Sequence, residues 1–324
     1  MRAVICRELT GVGGLECVDN WPEPVAGPGE VLVDVKAAAL NFPDLLMIQG
    51  LYQERPPLPF VVGTEMSGVV AAVGEGVTHV AVGDRVVSAC GRTLAERVAA
   101  KASLVIPAPR ALGFEAAAGI CITYFTTMYA LKQRAQLQAG ETLLVLGAAG
   151  GVGTTAVELG KQMGATVIAA ASSDAKLELT RRLGADHVVN YSTEDLRERI
   201  KDITGGKGVD VVYDPVGGSL AEPALRSMAW RGRYLVIGFA GGDIPRIPLN
   251  LPLLKGCSIV GVFWGSFALR ERDEQRRNVD DLWRMFEAGR LVPVVGETHR
   301  LDDYAAAFES LASRRAQGKV VVLP

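Results

Sequence analysis

The run Thr142-Leu-Leu-Val-Leu-Gly-Ala-Ala-Gly-Gly-Val-Gly153 constrains this 324-residue chain more than any other feature. An apolar strand enters a glycine-rich turn, and a helical pattern leads from the turn through Lys161. Small residues let the backbone approach a pyrophosphate, and a helix N-terminus adds N–H donors and a partial positive charge. The G-x-G-x-x-G pattern is a weak signal by itself, and Ala148 fills its first position. Its surroundings make it specific, because a second apolar strand, Ala165–Ala171, follows the helix and completes a βαβ unit. The segment predicts dinucleotide binding, with Ala149, Gly150, Gly151 and Val152 at the phosphates.

The alternation continues for more than a hundred residues. Strands are predicted at Thr142–Leu146, Ala165–Ala171, His187–Val189, Val209–Tyr213, Arg233–Ile237 and Ser258–Phe263, with helices such as Asp174–Leu183 and Ser192–Thr204 between them. Short apolar strands joined by helical crossovers specify an α/β fold, a doubly wound parallel sheet. Residues 1–110 read differently. Glycine and proline punctuate short strands at Glu30–Ala37, Gly68–Val73, Asp84–Val87 and Glu96–Ala100, which suggests a mostly β, partly open barrel. A helix at Val279–Ala288 and a strand at Lys319–Leu323 close the chain. The expected domains are 1–122 with 264–324 for the β part and 123–263 for the dinucleotide-binding part, with the cofactor in the cleft between them.

Composition narrows the function. Hydrophobic residues at 49% and charged residues at 22% describe a globular chain, and a net charge of −2 without a basic block argues against nucleic acid or anionic membrane as partner. The apolar run at the N-terminus is short for a signal peptide, and the uncharged stretch Ala116–Leu131 is short for a membrane span. Five dispersed cysteines and three isolated histidines (His79, His187, His299) predict neither a disulfide framework nor a structural zinc lobe. A cytoplasmic protein is expected.

Several ordered segments together carry a family likeness: Ala39-Leu-Asn-Phe-Pro-Asp44, Gly50-Leu-Tyr52, Gly63-Thr-Glu-Met-Ser-Gly68, Val82-Gly-Asp-Arg-Val86, Ala148-Ala-Gly-Gly-Val-Gly153, Val189-Asn-Tyr191 and Gln317-Gly-Lys-Val-Val321. The chain resembles the zinc-independent quinone oxidoreductase branch of the medium-chain dehydrogenase/reductase superfamily. That likeness implies a GroES-like β domain, a Rossmann domain, NADPH as cofactor, a quinone or activated alkene as substrate, and a homodimer. Zinc-dependent members place a Cys near position 41 and a His-Glu pair after Gly63, whereas this chain has Asn41 and Thr64-Glu65. An amide and a hydroxyl do not replace a thiolate and an imidazole, so no metal is expected.

Site residues follow from pattern and likeness together. The second Rossmann strand ends in Ala169-Ala-Ala-Ser-Ser173 without an acid at its tip. A carboxylate there suits the ribose diol of NADH and repels a 2′-phosphate, so Ser172 and Ser173 favour NADPH. Lys176 and Tyr191 match positions that contact the adenosine phosphate in the family; otherwise Lys176 lies on a solvated helix face and Tyr191 packs. Asp174 either caps its helix or reaches a ribose hydroxyl. Asn41, Asp44 and Tyr52 are the expected catalytic contacts, with turn chemistry the competing account for the first two and core packing for the third. Thr126, Phe263 and Trp264 match the nicotinamide side, with core packing the competing account for the two aromatics. Gly238 and Phe239 open the loop after the fifth strand, and one of Arg314 and Arg315 is expected to reach a cofactor phosphate, unless the two form a solvated helix end. Substrate shape is left to the loops at 51–59 and 238–248. The expected reaction is hydride transfer to a quinone; an enoyl or 2-alkenal reductase, or a low-turnover nucleotide-binding protein, is the alternative.

Overall fold

A computed structural model describes residues 1–53 and 55–324; Glu54, inside the loop expected to shape the substrate pocket, lies outside the described residues. The chain divides into two compact units, Met1–Ile122 with Val292–Pro324, and Thr123–Leu291.

The first unit opens with β1 (Ala3–Cys6), β2 (Leu15–Val18) and β3 (Glu30–Leu40), followed by α1 (Phe42–Ile48). Then come β4 (Phe60–Val61), β5 (Glu65–Val73), β6 (Arg85–Ser88), β7 (Arg97–Lys101), β8 (Val105–Pro107) and α2 (Phe114–Ala118), and α3 (Ile120–Met128) runs on from this unit into the second. Strand β1 is flanked by β2 and β4 in a small antiparallel sheet. Strand β3 alternates solvent and core along most of its length, with Val31, Val33 and Val35 buried, as a half-covered antiparallel strand should. Helix α1 falls in a stretch that reads as a loop. Pro43 sits in its first turn, the Asp44 carboxylate accepts from the Asn41 N–H, and Leu45 and Ile48 join the unit's core.

The second unit holds β9 (Thr142–Leu146), α4 (Gly151–Gln162), β10 (Thr166–Ala171), α5 (Asp174–Arg182), β11 (His187–Asn190), α6 (Leu196–Ile203) and β12 (Val209–Asp214). It continues through α7 (Ala221–Arg226), β13 (Met228–Val236), α8 (Asn250–Lys255), β14 (Ser258–Gly261), α9 (Trp264–Arg270) and α10 (Arg272–Glu287). All neighbouring strands are parallel, in the order β11-β10-β9-β12-β13-β14. Leu143 to Leu146 of β9 are 0% exposed, the signature of a strand covered on both faces. Helix α6 begins later than the predicted Ser192, because the Glu194 carboxylate accepts from the Asn190 N–H and closes a turn, and Asp195 then caps the helix.

The chain re-enters the first unit at Val292, later than the expected 264. Aromatic packing is the reason. Trp264 and Trp283 lie against Phe125, Phe286 against Tyr124, and Tyr129 stacks on Phe267 with centroids 4.0 Å apart. Buried Asn278 and Gln133 also exchange two amide hydrogen bonds, of 2.9 and 3.1 Å. The last stretch supplies β15 (Val295–Arg300), α11 (Tyr304–Ala312) and β16 (Lys319–Leu323). Strand β16 pairs antiparallel with β3, Val320 opposite Leu40, in the order β15-β16-β3-β5-β6-β8 with β7 also on β3. That pairing sets Lys319 beside the end of β3.

Candidate active site

The strand order of the second unit reverses between β9 and β12, and in such sheets ligands bind beyond the carboxyl ends of the strands at that point. The glycine-rich turn leaves β9 there. Gly147 has a positive φ of 59°, and a Cβ on Gly153 would lie 2.2 Å from the Gly147 oxygen, so the turn closes on itself only with glycine at 153. Gly150 is the N-cap of α4, and the first intrahelical bond runs from the Thr154 N–H to the Gly150 oxygen at 2.9 Å. The amides of Gly151, Val152 and Gly153 precede that bond, as helix-terminal donors do. Gly150, Gly151 and Val152 are part-exposed, whereas Ala149 is buried. This cradle fits a pyrophosphate.

One strand over, the ends of β10 and β11 gather Ser172, Ser173, Lys176 and Tyr191. The Lys176 ammonium lies 3.4 Å from the Ser172 hydroxyl, and the Ser192 hydroxyl donates to the Ser172 carbonyl at 3.0 Å. The Tyr191 N–H donates to the Ala171 oxygen at 3.1 Å, and its half-buried ring packs on the unit's core. Asp174 is engaged elsewhere: its carboxylate accepts from the Asn190 amide at 2.9 Å. Its charge is thus directed at a neighbouring side chain.

At the end of β12, buried Asp214 was not anticipated. Its carboxylate accepts from the N–H groups of Val216 (2.7 Å) and Gly217 (2.8 Å) and from the Tyr234 hydroxyl. Burial pushes its pKa up. The loop through Gly238 and Phe239 lies on the turn it shapes, with the Ala240 N–H on the Pro215 oxygen and the Gly241 N–H on the Val216 oxygen. Phe263 and Trp264 follow β14, separated from β9 by β12 and β13. Phe263 is 60% exposed, whereas the Trp264 indole donates to Gln275 and packs near Phe125. Thr126 is half-buried on α3. In the first unit, Tyr52 is half-buried in the loop after α1, and Arg314 is exposed in a left-handed conformation, φ 56°.

Asn41 and Asp44 belong to a buried polar cluster at the end of β3. The Asn41 amide nitrogen donates to Glu65 Oε1 at 2.9 Å, and its oxygen accepts from Lys319 Nζ at 2.6 Å. Lys319 also donates to the Leu40 oxygen (2.7 Å) and to Glu65 (3.0 Å), and Glu65 Oε2 accepts from the Ile122 N–H (2.9 Å). Thr64 donates to the Asp44 carboxylate at 2.7–2.8 Å. Asp44 is pushed up to about 6, chiefly by burial, against the hydrogen bonds from Thr64 and Asn41. The nearby Cys121 thiol is raised well above its ordinary value by burial, then by Glu65, which leaves it unreactive. Sequence reading named Asn41 and Asp44 but not Glu65 or Lys319. The available signal was a single charge in each of two apolar strand segments.

The doubly wound sheet, the phosphate cradle and the β-rich companion unit define a dinucleotide-dependent reductase of the medium-chain type. The alcohol dehydrogenase GroES-like domain family matches residues 27–134, and the zinc-binding dehydrogenase family matches 151–284. The chain is 39% identical to quinone oxidoreductase-like protein 2 of Bos taurus, covering 99% of this chain and 92% of that protein. It is 36% identical to quinone oxidoreductase of Pseudomonas aeruginosa, covering 98% of each. The solved structure of Escherichia coli quinone oxidoreductase complexed with NADPH superposes with a TM-score of 0.92 at 32% identity, covering 100% of both chains. The chain belongs to the quinone oxidoreductase family of the medium-chain dehydrogenase/reductase superfamily.

Proposed function

We propose that this protein is an NADPH-dependent quinone oxidoreductase that works without a metal. The observation that carries the cofactor reading is the tip of β10, where the Lys176 ammonium stands by the Ser172 hydroxyl, with Ser173 next in the chain, while Asp174 is held by Asn190. Gly150, Gly151 and Val152 hold the pyrophosphate; Ser172, Ser173, Lys176 and Tyr191 hold the 2′-phosphate. Thr126, Gly238, Phe239, Phe263, Trp264 and Arg314 are the remaining proposed cofactor contacts. When bound, NADPH supplies a hydride, and the quinone that accepts it gains phenolate-like oxygen character. Asn41 and Tyr52 donate hydrogen bonds to that oxygen, and Asp44 fixes the Asn41 backbone.

The metal-free reading rests on the charge at the end of β3. Lys319 places an ammonium 2.6 Å from the Asn41 oxygen and 3.0 Å from Glu65, where it would repel a divalent cation. Metal analysis should find no stoichiometric zinc; one zinc per chain, lost together with activity, would refute this. The protein is further proposed to be cytoplasmic and homodimeric. Among the described residues no helix is long and apolar enough to cross a membrane. Strand β14 is a sheet edge, and Leu253, Leu254 and Ile259 on and before it are 77%, 71% and 42% exposed. Apolar edges of this kind are covered or paired. A monomer by light scattering at micromolar concentration would count against the dimer.

The catalytic test is steady-state NADPH oxidation across quinones, 2-alkenals and enoyl thioesters. Quinones should be turned over fastest; turnover confined to the alkenes would replace this reading with an enoyl reductase.

A further inference from the structure

We infer that Lys319 is a positioning residue that acts on quinone reduction through the Asn41 amide. The inference rests on the reading of Asn41 as a donor to the accepting oxygen. The two sides of that amide are held by opposite charges: its oxygen accepts from the Lys319 ammonium at 2.6 Å, and its nitrogen donates to Glu65 at 2.9 Å. A flipped amide would set N–H against ammonium and oxygen against carboxylate, so one orientation is enforced. Both charged partners are shut in, Glu65 at 0% and Lys319 at 6% exposure, and each is anchored by backbone at Ile122 and Leu40.

One Asn41 amide hydrogen is committed to Glu65. Its remaining contacts are long, 3.3 Å to the Ala39 oxygen and 3.4 Å to the Thr64 hydroxyl. The second hydrogen therefore retains donor capacity for a developing oxyanion. A cation on the carbonyl side of an amide draws electron density from the nitrogen, and hydrogen bonds in series polarise one another. Lys319 thus both aims the donor and strengthens it, from the opposite end of the chain. Mutual compensation of two buried charges, with no effect on the reaction, is the competing account.

A double-mutant cycle separates the two. Lys319→Met and Asn41→Ala should each lower kcat and kcat/KM for a quinone by about tenfold, the magnitude of one hydrogen bond. The Lys319→Met/Asn41→Ala double variant should stay within about twofold of Asn41→Ala, since coupled residues do not add. Lys319→Met/Glu65→Gln, which removes both charges of the pair, should recover much of the thermal midpoint and NADPH affinity by fluorescence but not turnover. Lys319→Arg should restore part of the turnover. Losses that multiply to about a hundredfold in the double variant would overturn the inference. So would turnover that returns together with stability in Lys319→Met/Glu65→Gln. Wild-type protein inactive on every quinone would overturn the underlying reading as well, which distinguishes that failure from the other two.

Discussion

At the tip of β10, Ser172, Ser173, Lys176 and Tyr191 stand part-exposed, all drawn from one short segment of the chain. At the end of β3, Asn41, Asp44, Glu65 and Lys319 are buried and come from nearly opposite ends of the sequence. The first cluster rests on strand ends and helix starts that form without it. Its side chains are only partly buried, so losing one should cost affinity rather than fold. The second cluster is part of the core. Its members compensate one another's desolvation, so losing one leaves a charge or a polar group stranded.

Breaking that contrast should be easiest at Lys319. Lys319→Met strands the Glu65 carboxylate, and breaking one side of a buried pair costs about 3–5 kcal/mol. Denaturant unfolding of Lys319→Met beside Lys319→Met/Glu65→Gln should show the large loss in the first and partial recovery in the second. Equal stability of Lys319→Met and wild type would place the pair among the weak surface bridges.

Asp44 sharpens the comparison through pH. Its pKa rises from 3.8 to about 6 in the folded chain, so the folded state holds its proton more tightly than the unfolded state does. Its contribution to stability is therefore full below 3.8 and is lost as pH rises through about 6. Asp44→Asn removes this dependence. Relative to wild type the variant should gain on the order of 2–3 kcal/mol between those limits, at 1.36 kcal/mol per pKa unit. Urea titrations at a series of pH values measure it, and a difference that does not change with pH would contradict the assignment.

The same contrast explains what could be read from sequence. The phosphate turn and the β10 tip are written in contiguous residues, because a βαβ unit is local and its periodicity shows directly. Helix α1 was not legible, since Phe42-Pro-Asp44 reads as a turn until Leu45 and Ile48 find their core. The roles of Glu65 and Lys319 are not legible in the sequence, because they lie in a pairing, β16 on β3, that no local pattern encodes. Asp214 was missed for a similar reason: its partners include Tyr234, on the neighbouring strand β13. The unit boundary lies later than the local pattern suggests, because the aromatic face of α9 and α10 declares its side only once Phe125 and Tyr129 are in position.

The most direct test of the central claim, that the β10 tip selects NADPH, is a fluorescence titration of NADPH and NADH on wild type and Lys176→Ala. Wild type should prefer NADPH. A charged hydrogen bond is worth roughly 1.5–3 kcal/mol, with the lower figure suited to a part-exposed lysine, so the variant should bind NADPH about tenfold more weakly. Its affinity for NADH and its turnover at saturating cofactor should be nearly unchanged, because this contact is remote from the hydride. Equal losses for both cofactors, or wild-type protein that favours NADH, would contradict the account.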